Sequence, residues 1–309
     1  MIAVFEQVLI LFAFCLVGFL LSKTKVLNES HAGILSTLLI YVFSPCLYFN
    51  TFAQQMTREN LTEKLPLILI SLGLLVFLII MGKLGSRIIP VSCDYERKVN
   101  EYSITMPNVG YMGYPVALGV FGEAALLDCM LFTIPANIYI NTYALNMLTE
   151  SGKDKSKKLI FKIFNPPTIG LILGSIVGLL GLKLPSVITS ISSSASDCYA
   201  TTAMLLTGIV ISRYNIKELI LDKTSYIVSA IRLVAIPAVI CVLIKLLHLE
   251  IALIPAVVLF AMPCGMNTVV FPQLVGRDSK KGASLVLIST VLSMLTIPLC
   301  VYLLKNFLL

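Results

Sequence analysis

The sequence predicts an all-α membrane protein with ten spanning helices, arranged as two inverted repeats of five. Three observations carry this. The composition is membrane-grade, with 58% hydrophobic residues, 13% charged residues and a mean hydropathy of +0.94; a soluble domain carries about 25% charged residues. Ten apolar runs have spanning length. Two of those runs, at matching places in the two halves, are interrupted by prolines and glycines.

A bilayer core takes about 20 apolar residues per helix. Runs of that size fall near 4–22, 31–52, 65–86, 99–122, 126–148, 165–182, 186–212, 225–247, 252–275 and 283–304. The first run carries Glu6, has no basic residues before it and no A-x-A-like cleavage site, so it reads as a spanning helix rather than a signal peptide. Residues 1–150 form the first repeat, 151–162 a short basic loop, and 163–309 the second repeat. No stretch is left for a soluble domain.

Lysine and arginine set the orientation. With the N-terminus outside, seventeen of them fall in inner loops and five in outer loops, with Arg232 left inside a run. Both termini are therefore expected to be extracytoplasmic. The net charge of +7 follows from these loops and is no sign of a nucleic-acid partner. The eight cysteines are scattered without a C-x-x-C pair, and the two histidines lie at run ends, so neither a disulfide framework nor a metal site is expected.

The interruptions carry the functional argument. Residues 106–122 read MPNVGYMGYPVALGVFG, and 262–276 read MPCGMNTVVFPQLVG. Pro107 and Pro115 break the fourth run; Pro263 and Pro272 break the ninth. Proline removes a backbone donor, and in lipid a freed backbone group has no water to turn to. Such breaks persist only where protein or a water-filled cavity surrounds them. Five is odd, so the second half enters from the opposite face, and paired breaks in inverted halves point to a transporter binding site. Two half-helix N-termini, each worth about +0.5 charge, suit an anion there.

The elements that carry the breaks resemble the auxin efflux carrier family of the bile-acid/sodium symporter-like superfamily. Pro107, Asn108, Gly113 and Pro115 match its fourth-span pattern Pro-Asn-x-x-x-x-Gly-x-Pro. Met262, Pro263, Asn267 and Thr268 match M-P-x-x-x-N-T of bacterial members, and SLVLISTVLSMLTIPL resembles the tenth span. The resemblance covers the whole chain. It implies a scaffold of helices 1, 2, 6 and 7, often homodimeric, and a transport domain of helices 3–5 and 8–10 that moves like an elevator. Helices 4 and 9 would cross at the site. Auxin-exporting plant relatives have a long central loop and this chain has about a dozen residues there, which favours a permease of the bacterial inner membrane for small carboxylates such as malate or malonate.

The candidate substrate ligands are Asn108, Gly110 and Gly113 at the first break, and Asn267 and Thr268 at the second. Asn137 and Asn141 share a face of the fifth run at i, i+4, and Ser293 lies with Ser289 and Thr296 on one face of the tenth. Packing between helices is the alternative role for these last faces. Asp197, about eleven residues into the seventh run, is a candidate proton carrier or ion partner, or else marks a wet helix end. Arg232 either snorkels to the inner face, pairs an acidic residue, or attracts anions. Glu6, Glu123 and Asp128 are expected near solvent.

These readings converge on a secondary carrier of small organic anions, coupled to protons or sodium and needing no cofactor. A sodium-coupled symporter of another anion, a channel and a non-transporting receptor are the competing readings. An enzyme is disfavoured, since G-x-S-x-G, H-E-x-x-H and Walker A motifs are all absent from the sequence.

Overall fold

The computed structural model describes residues 2–27, 29–149 and 164–308. Among them every regular element is helical. In chain order these are α1 (Ile2–Lys23), α2 (Glu29–Leu38), α3 (Ser44–Gln55), α4 (Arg58–Ile88), α5 (Asp94–Thr105), α6 (Tyr114–Phe132), α7 (Ile134–Tyr139) and α8 (Leu145–Thr149). The second half holds α9 (Pro166–Leu180), α10 (Ser186–Ser212), α11 (Ile216–Ile220), α12 (Lys223–Ala230), α13 (Ile236–Leu246), α14 (Leu253–Phe260), α15 (Asn267–Leu274) and α16 (Lys280–Leu303). The expected basic loop, 151–162, lies outside the described residues.

Seven described segments are long and apolar enough to cross a membrane, from Val4–Lys23 to Lys280–Asn306. The chain is a multi-pass membrane protein. Two shorter apolar helices, Pro166–Leu180 and Glu250–Phe260, add to them. Fewer long helices result than the ten expected runs because breaks divide the fifth run at Thr133 and the ninth after Phe260, and the sixth forms only the 15-residue helix α9. Gly122, at φ +83° and ψ −175°, kinks α6 where the fourth run was expected to end. A side chain there would be strained, so glycine is required.

Three wide π-turns share one cause. Leu39–Phe43, Val109–Gly113 and Ile231–Ala235 each end two residues before a proline: Pro45, Pro115 and Pro237. A proline ring clashes with the carbonyl four residues earlier and offers no N–H in return. That carbonyl belongs to Tyr41, Tyr111 or Leu233, each inside the π-turn. Widening the turn moves it clear without ending the helix, and such turns often mark functional places.

Helix starts are capped where polar side chains allow. Thr57 accepts from the Asn60 N–H at 3.1 Å, Asn165 from Thr168 at 3.0 Å, and Asp222 from Thr224 at 3.1 Å. The tightest packing joins α1 to α10 and α3 to α9. Glycines let these backbones meet. A Cβ on Gly208 would lie 1.9 Å from the Cys15 carbonyl oxygen, and one on Gly170 would lie 2.2 Å from that of Pro45. Small residues at such crossings are the usual device where lipid offers no hydrophobic drive.

The loops gather at two ends. At one, Lys23 reaches the Tyr214 carbonyl at 3.5 Å, and the connections after α4, α10 and α15 line a common cleft. At the other, Arg58 donates to the Leu179 carbonyl at 3.1 Å, Gln55 to Glu123 at 3.0 Å, and Lys64 pairs with Asp128. Asp128 is thus half-buried and paired rather than simply solvated.

Candidate functional site

The two breaks meet. After α5 the chain runs extended through Met106, Pro107 and Asn108; after α14 it runs through Met262, Pro263 and Cys264. Pro107 and Cys264 form an isolated antiparallel bridge. The Asn108 N–H donates to the Pro263 carbonyl at 2.8 Å, and the Gly265 N–H donates to the Met106 carbonyl at 3.1 Å. Each break therefore satisfies groups that the other proline has freed, which is what apolar surroundings demand. Further support comes from Ser289 on α16, whose hydroxyl accepts from the Cys264 N–H at 3.0 Å.

A cavity of about 420 Å³ lies against this pairing. It gathers Asn108 and Gly110 from the first break, Asn267 from the second, and Asn137 and Asn141 from the fifth run. The size and the mix of apolar wall with a few polar groups are those of a small-molecule site. Asn108 is buried, and its side chain makes no hydrogen bond to the described residues and does not cap its own π-turn. Its amide is therefore available to a ligand. Asn267 spends one donor on the Tyr102 hydroxyl at 2.9 Å, and Asn141 bonds the Asn137 carbonyl at 2.8 Å. Both keep an amide oxygen, and Asn137 lines the cavity beside Tyr48, whose hydroxyl its side chain meets.

Other candidates are placed differently. Thr268 is buried and donates to the Gly265 carbonyl at 2.9 Å; Ser293 is buried and donates to the Thr290 carbonyl at 2.7 Å. Neither lines the cavity, because each hydroxyl is turned back onto its own backbone. Gly113 sits behind the wall, where its N–H donates to the Asn108 carbonyl at 3.0 Å. Pro107 lines the cavity, the Pro263 carbonyl serves the bridge, Pro115 opens α6, and Pro272 lies inside α15. Asp197 is exposed on α10 and does not line the cavity. Arg232 does not snorkel: it is fully buried.

Sequence reasoning passed over the aromatic and capping residues of the wall. Tyr199 of α10 donates to the Gly110 carbonyl at 2.9 Å and so fixes the π-turn. Tyr48 of α3 meets the Tyr114 hydroxyl at 2.9 Å, and Tyr114 meets Thr133 at 2.7 Å. Asn165, before Pro166 and Pro167, is a helix-start signal that could have been read from the sequence. The tyrosines gave no periodic signal, since each is one polar atom on an otherwise apolar face.

A larger cleft of about 870 Å³ opens among the loops at one end. It holds charged pairs, Lys281 with Asp222 at 2.6 Å and Lys280 with Glu218, and none of the break residues. Among the described residues, no three histidine, cysteine or acidic side chains gather as a metal site would require.

Comparison with known proteins decides the family. Residues 3–301 match the membrane transport protein family. The chain belongs to this family. It is the family of the auxin efflux carriers that the break motifs resemble. An uncharacterized transporter of Methanocaldococcus jannaschii is 30% identical over 315 residues, covering 97% of this chain and 99% of the relative. An uncharacterized transporter of Methanothermobacter thermautotrophicus is 26% identical, covering 95% of this chain and 96% of its own. A Rhizobium meliloti protein named "Putative malonate transporter" is 24% identical over 97% of this chain and 95% of its own. As a member of this family, the chain is a membrane transporter.

Proposed function

We propose that this transporter is a secondary carrier of small organic anions, with dicarboxylates such as malonate or malate as the substrate class, and that the anion binds in the cavity against the paired breaks. The observation that carries the reading is Asn108: a buried amide with no partner of its own, at the break, facing the cavity. A carboxylate accepts from such an amide and from the N-terminal ends of the helical turns that begin there. The name of the Rhizobium meliloti relative agrees with the substrate class.

The same proposal extends to architecture. Ten spans in two inverted repeats account for the loops gathering alternately at two ends. They also account for the two closest helix pairs, α1 with α10 and α3 with α9, because exchanging the halves converts one pair into the other. Elevator movement of a transport domain against this scaffold, in a homodimer, supplies alternating access. The cavity reaches Asn165, next to the basic segment, so it faces inward in this reading. Residence in the cell membrane with both termini outside follows from the charge bias. The coupling ion is a proton or sodium, and Asp197 is the carboxylate that the proton alternative uses.

Substitution of Asn108 tests the site. Losing one hydrogen bond to a charged group costs about 1.5–3 kcal/mol, roughly 10- to 150-fold in affinity. Asn108→Ala should weaken malonate binding to the purified protein by about that factor. Asn108→Asp should be worse, since it sets a like charge beside the anion. An ionised aspartate variant that binds malonate as well as wild type would remove the anion from this break.

A further inference from the structure

Arg232 holds the backbone on which both breaks are built and does not line the cavity. It sits inside the π-turn Ile231–Ala235 and is fully buried. Its Nη1 donates to the Ile104 carbonyl at 3.1 Å and its Nε to the Met262 carbonyl at 3.3 Å. The first belongs to the last turn of α5, the second to the break after α14. Both are carbonyls at the negative ends of half-helices. The guanidinium also lies over the Phe260 ring, 5.6 Å from its centre. Its Nη2 is buried without a hydrogen-bond partner, and no carboxylate pairs with it among the described residues.

Four half-helix ends therefore converge at the crossing. The N-terminal ends at Asn108 and Asn267 contribute positive partial charge, and the C-terminal ends of α5 and α14 contribute negative charge of similar size. Backbone alone leaves the crossing close to neutral. An arginine cannot discharge by losing its proton, so Arg232 adds one full positive charge. Placed on the C-terminal ends, it cancels the part of the backbone field that would repel an anion.

We propose that Arg232 is a positioning residue that clamps the two half-helix C-termini together and gives the crossing the net positive charge on which anion selectivity depends. The proposal rests on the reading that an organic anion binds at the breaks. It deepens that reading by predicting that selectivity scales with the charge of the ligand, and therefore that dianions are preferred to monoanions.

The test compares malonate, a dianion at neutral pH, with its monomethyl ester, a monoanion, in binding to purified protein. An order of magnitude per ligand charge is the scale expected for unit charges about 10 Å apart at an effective dielectric near 20. Arg232→Gln should thus lose on the order of 100-fold for malonate and about 10-fold for the ester. A purely structural role would lower both equally, and equal losses, or none, overturn the proposal. Arg232→Lys keeps the charge and loses the fork. Its ratio of the two affinities should stay within about twofold of wild type, while amide exchange at Asn108 and Gly265 quickens as the clamp loosens. Should Arg232→Gln not fold, the lysine variant decides: a ratio falling toward unity assigns selectivity to geometry and overturns the proposal. Wild-type protein that binds neither ligand contradicts the organic-anion reading, and this proposal with it. Equal losses contradict only the role of Arg232.

Discussion

Asp222 shows how a single side chain serves both a helix and an end of the molecule. It caps α12 and also pairs with Lys281 at 2.6 Å, with Ser225 donating to its second oxygen at 2.7 Å. Burial pushes its carboxyl up, but the Lys281 ammonium and the hydroxyls of Thr224 and Ser225 outweigh this and hold it down to about 2. The folded value lies below the ordinary 3.8. The stabilisation is therefore complete above about pH 4 and is lost as pH falls through about 2. Asp222→Asn keeps a cap acceptor and removes the charge. It should cost on the order of 1 kcal/mol at pH 7, the shift being discounted because solvent reaches and screens the pair, with the gap in thermal stability from wild type closing progressively below pH 4. A gap that stays constant down to pH 3 would mean that the pair does not stabilise the fold. At the same scale Asn108 and Arg232 have opposite characters. One is a buried amide without a hydrogen-bond partner among the described residues, the other a buried cation that holds two backbone carbonyls.

At the scale of elements, glycine contacts define which helices form rigid pairs. Gly208 on α10 meets the Cys15 carbonyl on α1 at a distance that leaves no room for a Cβ. Gly208→Val should force the two helices apart and lower stability in detergent by about 1–3 kcal/mol, the usual cost of overpacking. Melting unchanged by the valine would contradict the close α1–α10 crossing. Much of this layer was legible beforehand. The seventh run was expected at 186–212, and α10 occupies Ser186–Ser212, because a proline before it and a polar turn after it mark its ends. The breaks at Pro107 and Pro263 were legible for the same reason: proline's missing donor is written in the sequence. What escaped reading depends on partners far away in the chain. Arg232 looked free to snorkel because the carbonyls it holds belong to Ile104 and Met262. Thr268 and Ser293 looked like ligands because a hydroxyl's choice of its own backbone over a cavity is a matter of rotamer, not of spacing. Tyr48 and Tyr199 became part of the site wall only once α3 and α10 were placed beside it.

For the whole molecule, loop charge and loop position agree. The connections after α1, α4, α10 and α15 come together at one end, where Lys25, Arg213 and Arg277 lie in three of them and Arg87 and Arg97 flank the fourth. Single cysteines placed at Lys155 and Lys183 in a cysteine-free background should label from opposite sides of the membrane, with 155 reached from the cytoplasm. Labelling of both from one side would overturn the ten-span arrangement. The central claim is that the protein carries organic anions by exposing one site alternately to each side. The most direct measurement is counterflow in proteoliposomes, with unlabelled malonate inside and a trace of radiolabelled malonate outside, run at imposed proton and sodium gradients. The account predicts saturable uptake that transiently accumulates label above its outside concentration, and stronger net uptake under the gradient of the coupling ion alone. Flux that never exceeds equilibration and does not respond to malonate on the far side would contradict a carrier.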